Sequence, residues 1–90
     1  MTLSKRIWKF NLELTGEQEI AMPRDSQILS AQFQGNQLCV WAIVELDNDT
    51  VPYRFSIFGT GDPLPPVLGW RTYLCTVQQP GLPLVWHIFR

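Results

Sequence analysis

Residues 28–58 read ILSAQFQGNQLCVWAIVELDNDTVPYRFSIF, and the fold turns on how that run is divided. Gly35-Asn36 separates two apolar-alternating segments and is a two-residue hairpin loop of the favoured kind. Folding back at that loop pairs Gln34 with Gln37, Phe33 with Leu38, Ala31 with Val40 and Leu29 with Ala42. The apolar partners all fall on one face, which an arbitrary register would not produce. Asp47-Asn48-Asp49-Thr50 is the next turn. It sets Leu46 opposite Val51, Val44 opposite Tyr53, Ala42 opposite Phe55 and Val40 opposite Ile57, again on the same face. The expectation is a central three-stranded meander with one core side.

The other side of that meander is too apolar for ordinary surface. It carries Cys39, Trp41 and Ile43 on the middle strand, with Pro52, Arg54, Ser56 and Phe58 on the next. Trp41 is expected opposite Ser56 and within diagonal reach of Arg54. Such a face serves as a second packing layer, as a dimer interface, or as a ligand platform. As a platform, the Trp face takes a base and the Arg fork a phosphate.

Working outward, residues 7–14 alternate with Trp8, Phe10, Leu12 and Leu14 on one parity, a half-buried strand. Residues 18–22 form a short strand ended by Pro23, and Pro23-Arg24-Asp25-Ser26 is a turn. Residues 70–78 form another strand, with Tyr73, Cys75 and Val77 on one parity. Pro80-Gly81 suits the centre of a type II turn. The returning run then sets Val77 against Leu84, Cys75 against Trp86, Tyr73 against Ile88 and His87 across from Leu74. That final run is apolar on both parities, which marks a central or interfacial strand, and it is a natural partner for the first strand in closing the sheet. Six or seven short strands with little or no helix define an all-β single domain over residues 1–90. Its form is a small antiparallel barrel or a two-sheet sandwich.

Ninety residues with 46% hydrophobic content and four Trp fold as a packed globule, with apolar residues to spare for a homo-oligomer. Net charge is −1, with seven Lys/Arg against eight acids, so a duplex nucleic-acid partner is not expected. Nothing in the chain reads as a bilayer span, and Met1-Thr2-Leu3-Ser4-Lys5-Arg6 leads straight into an alternating segment without the apolar stretch of a secretory leader. A cytoplasmic protein without a membrane partner is expected. Cys39 and Cys75 lie far apart in apolar strands and read as buried free thiols. With one histidine and no Cys-x-x-Cys, no metal site is expected, and no cofactor.

The long connection after Phe58 concentrates the candidate function. Gly59-Thr60-Gly61 is either a structural turn or an anion-binding nest of converging amides, with Asp62 and the prolines beyond stiffening its exit. It lacks the Lys and the following helix of a phosphate-binding loop. His87, the only histidine, is either a structural hydrogen-bonder or half of a hydrolytic pair with Asp62. No nucleophile and carboxylate are linked to it by spacing, so the protein is expected not to be an enzyme.

Several segments together resemble a family of small, functionally uncharacterised proteins encoded by tailed bacteriophages and prophages. They are Ile7-Trp8-Lys9-Phe10, Met22-Pro23 before Ile28-Leu29-Ser30, and Leu38-Cys39-Val40-Trp41-Ala42-Ile43-Val44. Phe58-Gly59-Thr60-Gly61 with Pro63, and Val85-Trp86-His87-Ile88-Phe89, complete the set. In such proteins a histidine often follows the Gly-Thr-Gly, where this chain has Asp62. The resemblance implies a bacterial host cytoplasm during infection and no known activity. The expected function is an accessory protein that sequesters a small anionic ligand, such as a cyclic nucleotide or other nucleotide signal of host defence. Its contacts would come from Trp41, Arg54, Gly59, Thr60, Gly61, Asp62 and His87. The alternative is a module that inhibits a host enzyme or defence complex by direct protein contact.

Overall fold

A computed structural model describes residues 4–90. Residues 1–3, the start of the segment read as leader-free, lie outside it. Among the described residues there are seven strands and no helix: β1 Lys5–Asn11, β2 Glu17–Pro23, β3 Gln27–Gln34, β4 Gln37–Glu45, β5 Thr50–Gly59, β6 Tyr73–Gln78 and β7 Val85–Phe89. They form two antiparallel sheets, β1-β4-β3 and β2-β5-β7-β6. The sheets do not close into a barrel, so the architecture is the two-sheet sandwich.

The β3–β4 hairpin forms as the Gly35-Asn36 loop dictates, with Gln34 on Gln37, Phe33 on Leu38 and Ala31 on Val40. Gly35 takes a left-handed φ of 61° that the tight loop requires. Further out the register slips at a bulge, so that Ile28, not Leu29, meets Ala42. Leu29 is the extra residue, and it is pushed into solvent.

The meander's third strand is not there. β4 takes β1 on its second edge, with Trp8 on Ala42 and Phe10 on Val40. β5 leaves for the other sheet and lies between β2 and β7. The 45–49 corner that sends it across is tied on both sides. Leu46 donates to Ser4, Arg24 N–H donates to the Asp49 carbonyl, and the Arg24 guanidinium grips the Asp49 carboxylate with two bonds of 3.1 Å. The parity itself was right. Val40, Ala42, Val44, Phe55 and Ile57 are all buried, but the two strands face each other across the core instead of lying side by side. In-plane pairing and face-to-face packing bury the same alternate residues, so alternation cannot choose between them.

The closing hairpin shifts by two and keeps its parity only as far as Cys75: a bulge at Leu74 turns Tyr73 to the other face, where it meets Phe89 instead of Ile88. Val77 pairs Trp86, Cys75 pairs Ile88, and His87 lies across from Thr76 instead of Leu74. Pro80-Gly81 does make the expected turn, with Leu82 N–H on the Gln79 carbonyl and Gly81 at φ 76°. The loop then runs on until Gln79 bonds Leu84, two residues later than a minimal hairpin. β7 pairs β5 and β6, not β1, so the termini do not close the sheet.

Leu12, Met22, Leu38, Phe55 and Ile88 are the largest apolar side chains fully enclosed between the sheets. Burial of each such side chain contributes about 1.5–3 kcal/mol. Neither thiol is in a disulfide. Cys39 is fully buried, whereas Cys75 is only half-buried, at the sandwich edge.

Candidate functional site

The connection after β5 begins with a closed turn. Gly59 N–H donates to the Asp62 carboxylate at 2.7 Å, Asp62 N–H returns to the Gly59 carbonyl at 3.0 Å, and Thr60 N–H donates to the Val85 carbonyl at 3.1 Å. A Cβ on Gly59 would lie 3.2 Å from the Asp62 oxygen and 3.4 Å from the Trp86 ring. Glycine is what lets the carboxylate approach so closely. Two of the three amides in Gly59-Thr60-Gly61 are therefore engaged within the chain, and Asp62 itself supplies the negative charge that a nest would hold. A groove of about 280 Å³ runs beside this turn, walled by Leu84 and Trp86.

Thr60 and His87, 27 residues apart, are brought into contact. Thr60 Oγ1 lies 2.8 Å from His87 Nε2, and Thr76 Oγ1 lies 3.0 Å from Nδ1. The Tyr73 hydroxyl extends the array, 2.7 Å from Thr76 Oγ1. Each hydroxyl both donates and accepts, so the ring is held whichever nitrogen carries the proton. Asp62 is not part of this array; its carboxylate serves Gly59.

His87 belongs to the outer face of the four-stranded sheet. Cross-strand partners share a face, so Phe58 on β5 joins it, as do Phe89 on β7 and Tyr73 on β6. The rings interlock edge to face, Phe58 with Phe89 and Tyr73 with Phe89, each pair 5.8 Å between centroids.

At the β2–β5 end the same face is partly covered by the returning connection. Arg71 forms an ion pair with Glu17, donates to Ser56 Oγ at 2.9 Å and to the Leu68 carbonyl at 3.0 Å, and lies over the Trp70 ring at 4.8 Å. That is why Ser56, an outward-facing residue, is completely buried. Arg54 lies over Trp70 at 5.6 Å, and its Nε is 3.7 Å from Glu19. Its side chain stays 60% exposed. A cleft of about 480 Å³ opens there between Glu17, Glu19, Arg54 and Trp70.

Trp41 is not near Arg54. It sits on the outer face of the three-stranded sheet, between Lys9 and Ser30, and the two outer faces look in opposite directions. The expected Trp41–Ser56 pair depended on β4 and β5 being neighbours. Of the seven candidate residues, Gly59, Thr60, Gly61, Asp62 and His87 converge, Arg54 marks the far end of the same face, and Trp41 is separate. Sequence reasoning missed Phe58, Tyr73, Phe89, Trp70 and Arg71 as companions. Parity within β5 and β7 carried the signal for Phe58 and Phe89, whereas Tyr73 reaches this face only through the bulge at Leu74. Nothing local announced that Trp70-Arg71 folds back onto Ser56.

Among the described residues no three His, Cys, Asp or Glu side chains gather in metal-binding fashion, and no helix is long and apolar enough to cross a membrane. Burial pushes the Cys75 thiol above its ordinary pKa, and the thiol donates to the Ala31 carbonyl at 3.2 Å.

The fold and this face define a small all-β sandwich with a ring-rich outer surface on its larger sheet. The chain belongs to the family described as a domain of unknown function (DUF7352), whose model matches residues 3–90. No curated protein and no solved structure matches it.

Proposed function

We propose that this protein is a non-enzymatic binding protein that holds a small, planar, anionic ligand of the nucleotide type against the outer face of the β2-β5-β7-β6 sheet. The observation that carries the reading is the composition of that face: three interlocked rings, a histidine bracketed by hydroxyls, and an exposed arginine beside a tryptophan. Stacking a base on aromatic side chains contributes about 1–3 kcal/mol per base. Thr60 and the Tyr73 hydroxyl, at 56% residue exposure, supply hydrogen bonds to its polar edge. Arg54 lies four residues from Phe58 on one strand, about 13 Å away at strand rise. It lies over the Trp70 ring, and its carboxylate partner Glu19 is 3.7 Å away, so a phosphate outcompetes that partner. The resemblance to phage-encoded proteins supplies the setting, capture of a nucleotide signal in an infected bacterial cytoplasm, by analogy with small phage proteins of that kind.

Thermal-shift measurements against cyclic and linear nucleotides test this. A ligand at a hundred times its Kd stabilises by about 2.7 kcal/mol, a rise of roughly 10 °C or more for a domain this size. Arg54→Gln and Tyr73→Ala should each remove most of that rise. No shift with any nucleotide at about 1 mM would end the proposal.

The second reading, inhibition of a host protein by direct contact, is favoured by the opposite outer face. Ile7, 62% exposed, lies across from Ile43, beside Trp41. A host partner captured by the wild type and lost with Trp41→Ala would support it.

A further inference from the structure

The four sheet edges are unequally protected. β1, one edge of the three-stranded sheet, carries Lys5, Arg6 and Lys9, and β2, one edge of the other sheet, carries Glu17, Glu19 and Pro23. Charges and proline are the usual means of keeping an edge from pairing with another chain. β3 and β6, the remaining two edges, contain no charged residue and no proline. They run beside each other, with Ser30, Ala31, Gln32 and Phe33 facing Cys75, Thr76, Val77 and Gln78 across a groove of about 410 Å³. No ladder joins them; the Cys75 thiol on the Ala31 carbonyl is a side-chain link across the gap.

The main-chain groups available on β6 follow from the register. Val85 uses its carbonyl to accept Thr60 N–H, on the β5 side. Its partner on β6, Gln78, therefore turns its own N–H and C=O away from β7. The two-residue alternation does the same at Thr76. Both residues are exposed.

We propose that β6 is the interface for a second copy of this chain, pairing antiparallel with its own counterpart about a two-fold axis to form one continuous eight-stranded sheet. Charge argues against β1 and β2, and on β3 the Ala31 carbonyl already accepts the Cys75 thiol. In a two-fold contact each patch meets itself, so β1 would set cations against cations and β2 acids against acids. The β6 edge has no charge to repel its own copy. It also offers none with which to choose a charged foreign strand. This inference is independent of the ligand reading, and neither stands or falls with the other.

Sedimentation of the wild-type protein at about 100 μM should give twice the 10.4 kDa chain mass. Gln78→Pro removes an outward N–H without touching the β6–β7 bonds, and Gln78→Lys brings a like charge from each copy into the interface. Each should weaken the dimer at least tenfold (~1.4 kcal/mol) while leaving the circular dichroism spectrum unchanged. In the wild type, exchange of the Thr76 and Gln78 amides should slow as concentration rises through the dimer transition. A monomer at every concentration overturns the proposal, including one whose β6 edge accepts a foreign peptide. So does a dimer indifferent to both Gln78 variants, or one that Trp41→Ala dissociates instead. Fast exchange at Thr76 and Gln78 in the dimer overturns it as well.

Discussion

Replacing Arg71 with alanine tests the claim that this side chain latches the 60–72 connection onto the larger sheet. Only 11% of the Arg71 side chain is exposed, and it serves Glu17, Ser56, the Leu68 carbonyl and the Trp70 ring at once. The Ser56 hydroxyl is wholly buried, and losing its donor costs about 1–3 kcal/mol unless water enters. The stacked cation adds about 0.5–1 kcal/mol. The pair with Glu17 adds no more than about 1 kcal/mol, because the carboxylate is more than half exposed. The Leu68 carbonyl can rehydrate and is set near zero. The terms overlap, so the expected loss is about 2–4 kcal/mol, or a fall of roughly 10–20 °C in Tm. Urea unfolding measures the loss directly, with amide exchange over residues 60–72 rising well before global unfolding. Lysine should recover less than half, since one ammonium cannot reproduce the guanidinium fork. In a double-mutant cycle, Ser56→Ala should couple to Arg71→Ala by about 1 kcal/mol. A loss under about 0.5 kcal/mol with unchanged loop exchange would refute the latch.

Three further outcomes follow from single contacts. Asp62→Ala removes the partner of Gly59 N–H and should cost about 1 kcal/mol in urea unfolding; it also frees that amide and deletes a negative charge, so nucleotide affinity should rise, and a fall in titration calorimetry would make Asp62 itself a ligand contact. The Arg24 guanidinium holds the Asp49 carboxyl below the usual carboxylate range; the folded value is depressed, so its contribution is present above about pH 4 and fades as pH drops through the folded value, and Asp49→Asn should flatten the acid limb of a Tm–pH profile. Burial raises the Cys75 thiol and Cys39 is fully enclosed, so an aromatic disulfide reagent at about pH 8.5 should label Cys75 slowly and Cys39 only on unfolding; rapid labelling of Cys39 in the native state would contradict the packing.

What the sequence disclosed, and what it withheld, divides along the physics of alternation. Turn chemistry is local, so Gly35-Asn36 and Pro80-Gly81 could be read directly. Parity is local too, and it correctly put Val40, Ala42, Val44, Phe55 and Ile57 inside. Which strand lies beside which is a long-range choice. Here it was made at the 45–49 corner by Arg24 and Ser4, partners distant in the chain. That one missed choice separated Trp41 from Arg54. The contact of Thr60 with His87 was equally invisible, because it exists only once β5 and β7 are neighbours.

The outer face of the larger sheet is used unevenly, and this bears on the ligand reading. At its β2–β5 end the chain supplies its own cover: Arg71 and Trp70 lie over Ser56 and Arg54. A connection meant only to hide apolar surface would enclose Phe58 and Phe89. Instead Thr72 is bound to Arg90 by a pair of bonds, 2.7 and 2.8 Å, which turns the chain into β6 alongside β7 and leaves those rings half-buried. His87, Thr76 and Tyr73 occupy the open part, with Tyr73 on the edge strand itself. Pairing of β6 with its counterpart would therefore bring two such ring sets next to each other on one continuous sheet. A ligand with two planar groups would then meet a surface that neither copy presents alone, and its affinity would depend on protein concentration as well as on Arg54 and Tyr73.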